Sequence, residues 1–109
     1  LARLSGLAGD DAAVLCGDFN CAVGDPAHER ADGYELADGR RLRDSRTLSP
    51  GRHGPTTTRT DFHDLLPGMG IDHVFLGGET NVRGWTAATD RDDDHYASDH
   101  LPVVVDCRF

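Results

Sequence analysis

Two apolar runs each adjoin a short carboxylate-bearing motif, which points to a sheet with polar chemistry at its strand ends. Ala12 to Cys16 is apolar at every position and leads into Gly17-Asp18-Phe19-Asn20. Ser98-Asp99-His100-Leu101-Pro102 leads into the apolar run Val103 to Val105. A short run apolar throughout reads as a strand buried on both faces, so Ala12–Cys16 is expected to be a central strand. Side chains just past a strand end leave the core and can meet a ligand.

Between these ends the chain is loop-rich. Leu1, Leu4 and Leu7 recur at helical spacing before Gly9, which predicts the last turns of a helix. From Cys21 to Pro55 the sequence is polar and broken by Gly and Pro, with local packing expected around Tyr34 to Leu36 and Leu42. Thr56 to Thr58 are β-branched and suit a strand. Ile71 to Leu76 reads as a strand after the turn signal Pro67-Gly68-Met69-Gly70. Alternation puts Asp72, Val74 and Leu76 on one face, and Ile71, His73 and Phe75 on the other. Val82 to Ala88 predicts a further strand in which Trp85 is a packing residue. In the last strand Val103, Val105, Cys107 and Phe109 share one face, while Val104, Asp106 and Arg108 share the other. The whole predicts a mixed α/β fold in which residues 1–109 form part of one domain.

The chain carries 11 basic and 19 acidic residues, for a formal net charge of -8. All the basic residues are Arg, and all the acids but Glu29, Glu35 and Glu79 are Asp. Such a balance argues against non-specific binding of nucleic acid, which is held mainly through Lys and Arg contacts to phosphate. A local basic groove remains compatible with it; Arg40, Arg41 and Arg43 cluster, but read as a solvated face. No apolar run is long enough to span a membrane. Cys16, Cys21 and Cys107 are odd in number and lack the spacing of a zinc motif, so reduced thiols in a cytoplasmic protein are expected. The acidic run Asp90, Asp92, Asp93, Asp94 lacks the Gly and Glu of a calcium loop and reads as solvated.

The motifs suit phosphate-ester hydrolysis. Anionic phosphoryl oxygens repel a nucleophile, so a catalyst needs an activated water and neutralisation of those oxygens. Asp18 can orient water or accept its proton. Asn20, two residues on, would point to the same side in extended backbone and donate its amide to a phosphoryl oxygen. His100 can act as a charged donor or a base, and Asp99 can bind Mg²⁺ or fix the site. Asp72 opens an apolar face and needs a partner, because burying an unpaired charge is costly. Pairing with His100 would set the imidazole tautomer and favour its protonated form.

The order of Gly17-Asp18-Phe19-Asn20, Ile71-Asp72-His73-Val74-Phe75 and Ser98-Asp99-His100-Leu101-Pro102 resembles the C-terminal half of the endonuclease/exonuclease/phosphatase superfamily. Its members include exonuclease III-like and deoxyribonuclease I-like nucleases, inositol polyphosphate 5-phosphatases, deadenylases and neutral sphingomyelinases. The resemblance implies the C-terminal half of a four-layered α/β sandwich with two packed sheets. It implies that Asp18 aligns or activates water, Asn20 stabilises the transition state, Asp72 pairs with the active-site His, and His100 is that His. Asp99 matches an acid near the metal, which is Mg²⁺ or Mn²⁺ in the family. Thr56 to Thr58 take the place of a Thr-containing family strand, without the aromatic residue usual after the Thr.

The resemblance further implies that the first half of the domain, with its Asn and its metal-binding Glu, lies outside this sequence. Glu29 and Glu35 do not replace that Glu. The expectation is a metal-dependent phosphoesterase, specifically a phosphodiesterase, acting by in-line attack of water. Its partners would be a phosphate-ester substrate and the N-terminal half of the domain, and this chain alone would be inactive or weak. The competing expectation is a catalytically incomplete module that binds or interacts.

Overall fold

The computed structural model describes residues 12–78 and 80–108. The helix predicted for Leu1 to Gly9 lies outside the described residues. Among the described residues six strands and two short helices follow one another as β1 (Ala13–Asp18), α1 (Pro26–Ala31), β2 (Leu42–Asp44), α2 (Ser45–Leu48), β3 (Arg52–His53), β4 (Asp72–Gly77), β5 (Asn81–Ala87) and β6 (Val103–Arg108). They form two three-stranded sheets. The first has the order β1-β4-β2 and the second β3-β5-β6. All pairs are antiparallel except β3 with β5.

The alternation read from β4 holds. Phe75 and His73 face one way, with Ala13 and Leu15 of β1 beside them through the register Ala13↔Gly77 and Leu15↔Phe75. On that side Ala13, Ala31, Leu36, Leu42 and Phe75 form a buried cluster, joined by Leu15, Phe19 and Tyr34. Pro at the start of α1 suits a helix N-terminus, where the missing N–H costs nothing. Asp44 caps α2, its side chain accepting from the Arg46 N–H.

A second cluster stands on sheet two. Trp85, Ala87, Tyr96 and Leu101 are buried, with Leu65, Val103 and Val105 against them. Trp85 is therefore the packing residue expected, and Arg46 lies over its ring at 5.2 Å. Gly54 adopts φ of 90° against the backbone of Ala87, where a Cβ would collide, so only Gly lets this turn close on β5. The other face of β4, with Asp72 and Val74, looks across a cleft to Leu101 and Val103.

Three local expectations change. Among the described residues β1 pairs with β4 alone, so β4 is the central strand of sheet one and β1 an outer one. Val14 (44% exposed) and Cys16 consequently lie open rather than buried on both faces. Cys21 is the buried thiol and Cys107 is half-buried. Thr56 to Thr58 form no strand, although Arg59 and Thr60 each make an isolated antiparallel bridge. Arg40, Arg41 and Arg43 pair with Asp38, Glu35 and Asp32, as a solvated charged face would. No helix among the described residues is long and apolar enough to cross a membrane.

Candidate active site

Register delivers the first two carboxylates to one place. Asp18 and Asp72 are cross-strand partners at the end of the β1–β4 ladder. Facing like charges repel, so this pair needs a cation. His100 supplies the group. Its Nδ1–H donates to Asp72 Oδ2 at 2.8 Å, and its Nε2 lies 3.7 Å from Asp18 Oδ2.

His100 is held there by a short ladder between residues 58–60 and 98–101. Leu101 N donates to Thr58 O at 2.7 Å, Thr60 N to Asp99 O at 2.7 Å, and Thr60 Oγ1 to Ser98 O at 2.8 Å. Thr58, 1% exposed, locks the other partner. Its hydroxyl donates to Asp72 Oδ2 at 2.7 Å and accepts from the N–H groups of Ile71 and Asp72 at 3.1 and 3.2 Å. Asp72 is thus fixed by a hydroxyl and an imidazole before any ligand arrives. The Asp72 hydrogen bond is the main cause that raises the pKa of His100 above 6.5. Burial opposes it, and the charges of Asp72, Asp99 and Asp18 add to it. The site therefore favours an imidazolium between two carboxylates.

The remaining expected residues sit around this core. Asn20 is exposed, with φ of 51°, so the chain has already left extended geometry. Its N–H donates to Asp18 Oδ1 at 2.9 Å in a local turn that Asn tolerates. Asn20 accordingly follows Asp18 around a corner, rather than sharing a strand face with it. Phe19 turns into the first cluster, its ring 5.3 Å from that of Phe75. Asp99 meets Arg59, with Oδ2 3.3 Å from Nη2. The structure thus brings Asp18, Asp72 and His100 together, with Asp99 engaged by its neighbour. Sequence reasoning missed the tie from Thr58 to Asp72 and the Arg59–Asp99 pair. The sequence signal for the former was the match of Thr56 to Thr58 to a Thr-containing family strand.

Asp18, Asp72 and His100 each offer a ligand atom within 4.8 Å of the others. The three carboxylates of Asp18, Asp72 and Asp99 are hard oxygen donors of the kind that Mg²⁺ and Mn²⁺ prefer. The group within reach of one ion is Asp18, Asp72 and His100, whereas Asp99 faces Arg59.

Two packed sheets with carboxylates and an imidazole gathered where strands end define a deoxyribonuclease I-like α/β sandwich, present here as its C-terminal half. The endonuclease/exonuclease/phosphatase family model matches residues 1–100, and the chain belongs to that family. Three solved structures share the fold. Mannosyl-6-phosphatase Bt3783 of Bacteroides thetaiotaomicron VPI-5482 is 23% identical, with a TM-score of 0.82 over 98% of this chain and 42% of its own. An endonuclease/exonuclease/phosphatase from Bacteroides vulgatus is 22% identical, with a TM-score of 0.82 over 97% and 40%. A functionally unknown conserved protein from Enterococcus faecalis V583 is 23% identical, with a TM-score of 0.76 over 97% and 40%. The chain spans about two fifths of the length of these structures. No curated protein matches it significantly.

Proposed function

We propose that this chain forms one wall of a metal-dependent phosphoesterase that hydrolyses phosphodiesters by in-line attack of water. The observation that carries the reading is the convergence of Asp18, Asp72 and His100 from β1, β4 and the segment before β6. Asp18 orients the attacking water and accepts its proton as the new P–O bond forms; the ester P–O bond breaks and the leaving alkoxide takes a proton from solvent water. His100, held as imidazolium by Asp72, donates from Nε2 to a non-bridging oxygen and offsets the charge that develops there. Asn20, exposed beyond Asp18, donates its amide to a second oxygen. Asp99 would hold Mg²⁺ or Mn²⁺, which would polarise the phosphoryl group. The rest of the domain supplies further ligands, so the chain by itself turns over weakly or not at all. The short span against the matched structures also suits the alternative of a non-catalytic interaction module, and the assay below separates the two.

A net charge of -8 disfavours nucleic acid among phosphodiester substrates and identifies no other in its place. The test is Mg²⁺-dependent hydrolysis of bis-(p-nitrophenyl) phosphate, p-nitrophenyl phosphate, mannose 6-phosphate and abasic-site DNA by the protein that carries this chain. Asp18→Asn and His100→Ala are expected to lower the rate on the accepted substrate by roughly 10²–10⁴-fold. Full activity in both variants would sink the site assignment, and absence of hydrolysis on all four would favour the interaction module. Robust turnover by residues 1–109 alone would refute the need for the rest of the domain.

A further inference from the structure

A cavity of about 190 Å³ lies between the turn that follows Asn20 and the loop that leads into β4, lined by Ala22, Val23, Arg46, Thr56, Gly68 and Gly70. Among the described residues Arg46, in α2, is the only charged one in that lining. A narrower extension shares Val23, Arg46, Thr56 and Gly70 and runs on to Thr58 and Asp72. The cavity therefore reaches the acid that holds His100. We propose that Arg46 makes this cavity an anion subsite, which takes a second phosphate or carboxylate of the ester whose scissile phosphate lies at Asp18 and His100. The inference rests on the phosphoesterase reading above and adds a requirement on the substrate.

The charge of Arg46 is unspent. Arg40, Arg41, Arg43, Arg59 and Arg83 each meet a carboxylate. The hydrogen bonds of Arg46 run through its main chain: its N–H donates to Asp44 Oδ1 at 3.0 Å, and its carbonyl oxygen accepts from Arg52 Nε at 2.6 Å. Its guanidinium lies over the ring of buried Trp85. Its Nε is buried and has no hydrogen-bond partner, although almost every buried polar atom finds one. Asp44 and Asp72 line the extension, but their carboxylates are engaged, by His28 and the Arg46 N–H and by Thr58 and His100. A guanidinium is always charged, and its planar fork of donors matches a carboxylate or a phosphate. Stacking on Trp85 holds that fork in advance, so less freedom is lost when an anion binds.

Topology puts this subsite and the hydrolytic residues on one rim. β1 and β2 both run antiparallel to β4, so both end toward its start at Asp72. Asp18 closes β1, and Arg46 lies two residues past the end of β2. Two strand spacings, about 10 Å, separate β1 from β2 across β4. A substrate that fills both places needs a carbon skeleton between its two anionic groups, because a directly linked pyrophosphate is too short. Val23, 55% exposed, offers that skeleton an apolar rim. Thr56, also exposed, carries a hydroxyl that can donate to the same anion as Arg46.

Two measurements on the protein that carries this chain test the subsite. The first is binding without chemistry: inorganic phosphate is titrated while NMR follows the Arg46 Nε–H resonance. A saturable shift is expected, and Asp18→Asn and His100→Ala should retain it. The second compares three p-nitrophenyl phosphodiesters whose other arm is hexyl, carboxypentyl or phosphohexyl. The KM of the hexyl ester should exceed that of an anionic ester by roughly 10–100-fold, and Arg46→Met should bring the ratio close to one. The larger of the two ratios names the anion that the fork takes. No Arg46 shift, or a ratio close to one in the unmodified protein, would overturn the proposal, as would a ratio that survives Arg46→Met. If Arg46→Met fails to fold, the phosphate titration and the three-ester comparison on the unmodified protein still decide. If none of the three esters is hydrolysed, the phosphoesterase reading fails, and the phosphate titration alone decides whether Arg46 binds an anion.

Discussion

Asp18 and Asp72 face each other across the β1–β4 ladder, and the imidazole of His100 stands between their carboxylates. Neither acid is placed by a loop. Each is set by strand register, and the cation that makes their approach tolerable arrives from the segment before β6. One relationship thus joins both sheets.

A pH dependence follows from that imidazole. His100 has its pKa raised in the folded state, mainly by its hydrogen bond to Asp72, from an unfolded value near 6.5. The stabilisation is complete below the unfolded value and is lost as pH rises through the folded one. NMR titration should give a His100 midpoint above 6.5, and Asp72→Asn should move it downward. A midpoint unchanged by Asp72→Asn would show that the bond does not hold the charge.

Thr58→Val keeps the shape and removes the hydroxyl. Two backbone N–H groups, of Ile71 and Asp72, then lose their acceptor, and Asp72 loses a donor. Denaturant unfolding should register a loss of about 1–3 kcal/mol. The His100 midpoint should shift too, because Asp72 is freed to turn. Serine at this position should restore most of both.

Gly70→Ala tests close approach rather than backbone freedom. A Cβ there would strike the carbonyl oxygen of Thr56, so the strand start at Ile71 and Asp72 would have to move. Overpacking of this kind costs about 1–3 kcal/mol. A drop in Tm with unchanged Asp72–His100 chemistry would mean that the strain is absorbed in the Thr56 loop instead.

Arg59→Gln should barely alter stability, by less than about 1 kcal/mol, because its pair with Asp99 is half-exposed. Its effect should fall on metal use. With the guanidinium gone, Asp99 is released, and the Mg²⁺ concentration for half-maximal hydrolysis should fall. A rise would argue that Arg59 positions Asp99 for the ion.

Much of the site could be read from the sequence because strand alternation is local. Asp72 and His73 were assigned to opposite faces of β4, and they lie so, Asp72 against His100 and His73 against His28. The need of Asp72 for a partner followed from the cost of leaving a carboxylate unpaired, and the family resemblance implied His100 as that partner. Other features depend on what lies across space. The apolar run of β1 looked fully buried, yet burial is set by neighbours, and its single paired edge leaves Val14 and Cys16 open. Asn20 departs from strand geometry because the Asp18 side chain captures its N–H. His28 and Asp44 are 16 residues apart and carry no motif, so nothing local announced their contact.

The long ladder that unites Asp18 with Asp72 also sets an order in time. β1 precedes its partner β4, which comes only after the loops that hold α1, β2 and β3. His100 is a further 28 residues beyond Asp72. Contacts so distant along the chain close slowly, after local turns and helices have formed. The Asp18–Asp72–His100 cluster is therefore among the last features to assemble, and a rise in the His100 midpoint during refolding would mark the moment when the two sheets meet.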